Sequence, residues 1–378
     1  MSDYSIQSAT LQVVKITNSD GTSTNYYIDP ATGEQVERLT DEKFAWREKK
    51  RGTLALADTY RAGKLDRYAD RATTCATWLE YLSNADGSKR QLHHFNACKL
   101  RLCPLCSARK ARIMANRLAK IIARTQANHP GTQLLFLTLT IENVTGDKLR
   151  EALDLLTRAW SKLTRRRSVD RAVQGWFRAL EITRNRAKAT YHPHIHAVLV
   201  VEDAYFSRAS GLYITQARWV EMWRDCLKVD YDPGAHVQST YAKGKKGKLS
   251  KGAAAAASAV AEAAKYATKD TEYLGAAIPQ DEAAEVAGVY TAALRGKRLT
   301  GLGGWMLEAS QQLALNMEDA GDLVHEDGGG ELTEATAELL LSYGWHFGVS
   351  DHILTDVQPN PNYQGGEDVD DVASQGVK

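Results

Sequence analysis

The stretch "YHPHIHAVLVV", Tyr191 to Val201, decides the reading of this chain. Its second half is the apolar run of a buried strand. Its first half carries histidines at 192, 194 and 196. Side chains along a strand alternate between faces, so the three imidazoles share one face and Ile195, Ala197 and Leu199 share the other. An imidazole face on a core strand is either a metal platform or a set of satisfied core histidines. A lone His-x-His does not decide between them.

The flanking elements place this strand in a sheet. "QLLFLTLTI" (133–141) and "GWFRALEIT" (175–183) read as strands, with a helix over 147–165 between them. After the histidine strand come a helix over 215–229 and a strand, "GAHVQSTYA" (234–242). The order β-α-β-β-α-β is the ferredoxin-like pattern, with one antiparallel sheet in an α+β chain. The neighbouring strand offers Glu181. Together with His194 and His196 it makes a mixed N/O set that leaves positions open for a phosphate oxygen and suits Mg²⁺ or Mn²⁺ as a Lewis acid. His192, at the strand mouth, stays outside the ligand set.

Four of the five cysteines cluster upstream, which argues against a disulfide framework. Cys98, Cys103 and Cys106 supply three thiolates, with Pro104 stiffening the turn. A two-residue type I′ turn at Asp86-Gly87 would put Cys75 directly opposite Cys98 in a hairpin. Four thiolates make a structural Zn²⁺ site. His93 or His94 in place of Cys75, or simply buried cysteines, are the alternatives; Cys226 lies on an apolar helix face and reads as core. A hairpin over 11–38 and a helix over 41–63 open the chain.

The net charge of +2 hides an asymmetry. Residues 301–378 hold 15 acidic and 1 basic residues, and the other 300 hold 47 basic and 31 acidic. A basic body with an acidic tail points toward nucleic acid. The basic helix 109–128, with Arg109, Lys110 and Arg112, and the Gly-Lys loop with Lys243, Lys245, Lys246 and Lys248 are the expected DNA-phosphate contacts. No apolar run reaches the ~18 residues of a membrane span, and the N-terminus has no secretion-signal pattern. No membrane partner is expected, and the cysteine usage fits a cytoplasmic location.

An Ala-rich helix over roughly 253–270 carries Glu262, Tyr266 and Lys269 on one face. Taken alone it reads equally as a salt-bridged surface helix. In order, "CKLRLCPLCSARK" (98–110), "FLTLT" (136–140), "HPHIH" (192–196) and "EAAKYATK" (262–269) resemble the motifs of plasmid rolling-circle replication initiators, within the HUH endonuclease superfamily. The resemblance runs from about Cys98 to Arg298. It implies a metal-dependent, site-specific DNA nickase and strand transferase in which Tyr266 attacks a DNA phosphate and becomes joined to the 5′ end. Glu262 then takes the place of a second tyrosine at termination, by hydrolysis or strand transfer. It also implies plasmid origin DNA, a host helicase and a replication polymerase as partners, with a homodimer as one expected assembly. Rival readings are an HUH-type transposase, for which Tyr273 would be a second tyrosine, and a zinc-containing DNA-binding regulator without catalysis.

The resulting division is an N-terminal hairpin and helices (1–74), a cysteine-rich zinc segment with the basic helix (75–128), an endonuclease domain (129–300), a mostly helical or disordered acidic region (301–357) and a disordered tail (358–378).

Overall fold

The computed structural model describes residues 12–17, 23–28, 34–39, 44–239, 273–274, 278–315 and 332–364. It is a mixed α/β chain with antiparallel sheets that divides into two compact units. One unit comprises residues 1–54, 71–98 and 327–378; the other comprises 55–70 and 99–326.

The first unit starts with β1 (Gln12–Thr17), β2 (Ser23–Ile28) and the short β3 (Gln35–Val36), which form a three-stranded sheet. Helices α1 (Trp46–Ala62) and α2 (Asp66–Thr74), whose residues 55–62 and 66–70 belong to the second unit, precede β4 (Trp78–Ser83) and β5 (Arg90–Phe95) in the chain. β4 also pairs with β11 (Leu339–His346), and β11 with β12 (Asp351–Pro359), giving the order β12-β11-β4-β5. Over the described residues 332–364 this corrects the expectation of a mostly helical or disordered acidic region followed by a disordered tail from 358; residues 316–331 and 365–378 lie outside the described residues. Leu341, Tyr343 and Trp345 are buried alternately, a period of two on the inner face of a strand. Their partner strand lies some 250 residues earlier, with Leu339 opposite Ser83, so the local acidic composition gives no hint of it.

The β4–β5 hairpin corrects a second expectation. Near its tip Ser83 faces Arg90, the pairing that a turn at Asp86-Gly87 requires. The turn itself is not type I′, since Gly87 (φ 71°) but not Asp86 has positive φ. The register then slips by one between Glu80 and Tyr81. Cys75 and Cys98 are therefore not a directly opposed pair. The chain leaves the ladder at Ala76 (φ 51°), whose N–H donates to the Asn96 carbonyl at 2.9 Å.

The second unit holds a five-stranded antiparallel sheet in the order β10-β7-β8-β6-β9. Its strands are β6 (Gln133–Thr140), β7 (Gly175–Asn185), β8 (Thr190–Val201), β9 (Ala235–Ser239) and β10 (Thr300–Gly304). Between β6 and β7 lie α4 (Leu149–Thr164) and the short α5 (Arg167–Ala172), and between β8 and β9 lies α6 (Gln216–Leu227). Thr215 caps α6 by accepting the Arg218 N–H. Helix α7 (Gln280–Leu294) follows, and α8 (Trp305–Gln312) comes directly after β10.

The two faces of this sheet are covered differently. α4 buries Leu153, Leu156, Trp160 and Leu163, a helical stripe. Trp160 and Leu163, with Trp219 of α6, line a small cavity together with Leu137 and Leu199, on the face away from the histidines. On the histidine face, Met114, Leu118, Ile121 and Ile122 of α3 (Pro104–Asn128) and Met306 and Ala309 of α8 pack on Phe177, Val198 and Val200. One half of that face is thus a closed apolar core, and the histidines occupy the other half.

Candidate active site

β8 can carry its histidines because its pairing is regular where they sit. Glu181 of β7 lies directly opposite His194, and Thr138 of β6 directly opposite His196. Pro193 interrupts no ladder bond. Tyr191 exchanges hydrogen bonds with Val144, so residue 193 turns its missing N–H to the same side, where β6 has already ended at Thr140.

Glu181 and His194 are each only 7 % exposed, which is costly for a carboxylate unless it is compensated. Glu181 Oε2 lies 3.0 Å from His196 Nε2 and 3.5 Å from His194 Nε2. Burial pushes the Glu181 carboxyl up, but hydrogen bonds and charge from the two imidazoles outweigh it and hold the group at about 2. The far nitrogens are held as well. His194 Nδ1 lies 3.1 Å from the His192 carbonyl, and His196 Nδ1 lies 3.1 Å from Thr138 Oγ1. A donating Nδ1–H leaves the Nε2 lone pair of each ring for a metal ion, whereas a hydrogen bond to the Glu181 carboxylate requires a proton on Nε2. Phe136 stacks on His196 at 5.4 Å and 22°. These three groups fit a metal: ligand atoms ~2.1 Å from an octahedral ion sit about 3 Å apart at right angles.

The sequence reading did not single out Thr138 as a site residue, although it lies within "FLTLT". His192 contributes its carbonyl to His194. Its ring lies 5.5 Å from that of His194, and burial, then the charge of His194, lowers its pKa.

Cys75, Cys98, Cys103 and Cys106 are all buried, a set of residue types that suits a four-thiolate zinc site. Cys98 N–H donates to Cys75 Sγ and Cys106 N–H to Cys103 Sγ, each at 3.4 Å. Such donation favours thiolates. Cys103 is the N-cap of α3, with Pro104 in its first turn. Of the alternative ligands, His93 lies 3.6 Å from Glu80 and His94 packs on Trp78, so both are engaged elsewhere. Cys226 is 3 % exposed in α6, as expected for core.

The DNA-contact residues fare unevenly. Arg109 is 2 % exposed, although it lies half a turn round α3 from Leu118 and the stripe that packs on the sheet; it shares its side of the helix with Ile113 and Arg117, which are buried too. It is therefore corrected from a surface phosphate contact to an interior residue. Lys110 and Arg112 are half-buried, and burial, then Arg101, lowers the pKa of Lys110. Lys243, Lys245, Lys246 and Lys248 lie outside the described residues, as do Glu262, Tyr266, Lys269 and the Ala-rich helix. Tyr273 is described: it is 2 % exposed and its hydroxyl donates to the Leu102 carbonyl at 2.8 Å. That is an anchoring role, unlike that of an open nucleophile. No helix among the described residues is long and apolar enough to cross a membrane.

A family model described as a replication protein matches residues 89–352. A "Protein rep" of Streptococcus pneumoniae serotype 2 (strain D39 / NCTC 7466) is 34% identical over 293 residues, 77% of this chain and 87% of that protein. A "Protein rep" of Lactiplantibacillus plantarum is 34% identical over 313 residues, covering 82% and 95%. One of Bacillus amyloliquefaciens is 32% identical over 333 residues, covering 83% and 95%. No solved structure matches the chain. The family model covers Cys98, Cys103, Cys106 and the Glu181–His194–His196 set, with Cys75 outside it, and the chain belongs to the Rep family of plasmid replication initiators.

Proposed function

We propose that this replication initiator is a metal-dependent nickase of the HUH type, built on the ferredoxin-like sheet of residues 129–300. The observation that carries the reading is the Glu181–His194–His196 set, paired across β7 and β8 on the half of the sheet face beyond the apolar core of α3 and α8. The strand order β7-β8-β6-β9, all antiparallel around two helical crossovers, supports it. Glu181, His194 and His196 would hold Mg²⁺ or Mn²⁺. Such an ion, when bound, supplies Lewis-acid polarisation of a phosphate oxygen. Thr138 and the His192 carbonyl keep the imidazoles turned toward it.

In this reading Tyr266 loses its phenolic proton and attacks the origin phosphate. The new bond joins the tyrosine oxygen to phosphorus, and the bond from phosphorus to the 3′ oxygen breaks. The 3′ hydroxyl is released as primer for the host polymerase, and the 5′ end stays on the enzyme. Lys269 stabilises the attacking oxygen, and Glu262 serves the terminating cleavage. Cys75, Cys98, Cys103 and Cys106 hold a structural Zn²⁺, and the chain works in the cytoplasm on plasmid origin DNA with a host helicase, singly or as a homodimer. The Gly-Lys loop with Lys243, Lys245, Lys246 and Lys248 follows the DNA backbone. The burial of Tyr273 disfavours the two-tyrosine transposase reading.

The test is to incubate the full chain and Tyr266→Phe with supercoiled origin DNA and Mn²⁺. The parent should give a nicked product covalently linked to protein, and Tyr266→Phe should give none while still binding DNA. Nicking by the Phe variant would refute the assignment, and intact DNA with both proteins would favour a non-catalytic regulator.

A further inference from the structure

The helix layer on the far side of the sheet from Glu181, His194 and His196 carries a concentration of positive charge that the nicking reaction does not use. Residues 155–169 contain Arg158, Lys162, Arg165, Arg166 and Arg167 and no acidic residue. Arg158, Lys162 and Arg165 stand at i, i+4 and i+7 of α4 and its C-cap, on one face about 10 Å long. All three are exposed, because the opposite stripe of α4 is the one buried on the sheet. The ridge continues into α5. Arg166, Arg167, Ser168 and Arg171, with Arg218 of α6, line an open cleft of about 610 Å³.

The charges divide into two sets. Arg166 is tied to Asp225 at 3.1 Å and Arg218 to Glu221 at 2.6 Å. Arg158, Lys162, Arg165, Arg167 and Arg171 have no carboxylate within ion-pair distance among the described residues, and Arg167 and Arg171 are also exposed. Aligned like charges on a helix repel one another and destabilise it slightly, so their arrangement calls for an anionic partner.

We infer that the ridge Arg158–Lys162–Arg165, with Arg167 and Arg171, is a docking surface for the phosphate backbone of duplex DNA. Duplex DNA carries one negative charge per ~1.7 Å of axis, which a ridge of this length can track. A single-stranded partner would call for stacking platforms, and the exposed large side chains among the described residues, such as Trp78, Phe206 and Tyr213, lie elsewhere in the sequence. The sheet would then separate two tasks: a single strand is cut on the histidine face while flanking duplex is held on the helix face. That division rests on the nickase reading above; the duplex contact itself does not.

The experiment compares the full chain with Arg158→Ala/Lys162→Ala/Arg165→Ala and with a charge-preserving Arg158→Lys/Lys162→Arg/Arg165→Lys control. Affinity for a short duplex of arbitrary sequence is titrated against salt, and nicking of single-stranded origin oligonucleotides with Mn²⁺ is measured in parallel. In the alanine variant duplex affinity should fall about tenfold or more at low salt, and the slope of log K against log salt should become shallower by about 2–3. The control should stay close to the parent, and single-strand nicking should be unchanged in both. Unchanged duplex affinity and slope in the alanine variant would overturn the inference, as would a parent chain that binds no duplex. Equal losses for duplex and single strand would assign the ridge to single strands and overturn it too. Failure of every protein to nick, with the duplex effect intact, would count against the nickase reading alone.

Discussion

Thr138 Oγ1 lies 3.1 Å from Nδ1 of His196, across the β6–β8 ladder. The contact gives "FLTLT" a physical task, because Thr138 sets which way the imidazole turns its other nitrogen. Thr138→Val keeps the β-branched shape and removes the hydroxyl. Metal affinity at the Glu181–His194–His196 set should fall about 10–100-fold, while the melting temperature changes little. Calorimetric titration with Mn²⁺ checks this; an unchanged affinity would mean that packing on Phe136 orients His196 instead.

The cysteine cluster predicts one zinc per chain, measured by elemental analysis. Cys75→Ser should lose that zinc and destabilise the segment around residues 75–106, since metal affinity in a small cluster is largely folding free energy. His93→Ala and His94→Ala should keep it, given their engagement with Glu80 and Trp78. Zinc retained in Cys75→Ser and lost in a histidine variant would reverse the ligand assignment.

His352 of β12 gives a pH-dependent stability. It is fully buried, with Nε2 2.8 Å from the Ala76 carbonyl. Burial lowers its pKa, the Ala76 hydrogen bond raises it less, and nearby Lys50 lowers it further, to about 4. The fold therefore favours the neutral ring, and the unfolded chain binds the extra proton. Stability is full above about pH 6.5 and is lost as pH falls toward about 4, by on the order of 3 kcal/mol. Urea melts at pH 7 and pH 4.5 should differ more for the parent than for His352→Gln. An equal difference in both would assign the acid sensitivity to other groups.

Glu262 predicts an asymmetric defect. On the proposed mechanism Tyr266 is occupied after the first nick, and Glu262, four residues before it in sequence, would activate water for the second cleavage. Glu262→Ala should nick supercoiled DNA and form the covalent adduct, yet give strands longer than unit length on denaturing gels. Unit-length products would reduce Glu262 to a surface partner of Lys265 or Lys269, worth ~0.3–0.5 kcal/mol.

Some of this was legible because its signal is local. Alternation along 191–201 put three imidazoles on one face, and apolar runs with turn residues between them placed β6 to β9 in order. A ligand set needs residues on adjacent strands, and once the strand order is known Glu181 opposite His194 follows from the pairing. The spacing of Cys98, Cys103 and Cys106 around Pro104 likewise lies within one turn and one helix start.

Other features depend on contacts far apart in sequence, which no local pattern encodes. The pairing of β11 with β4 turns an acidic stretch into sheet, because burial of Leu341, Tyr343 and Trp345 outweighs composition. The slip at Glu80 and the left-handed Ala76 bring Cys75 to Cys98 by a route the hairpin arithmetic could not foresee. Arg109 looked like a phosphate contact from charge alone, yet it is buried, with Ile113 and Arg117 beside it on the same side of the helix. The sequence by itself determined which chemistry is available, because residue type and strand period are local properties. The tertiary structure decided which of those groups meet and which stay in solvent, because burial is a property of what packs on each face.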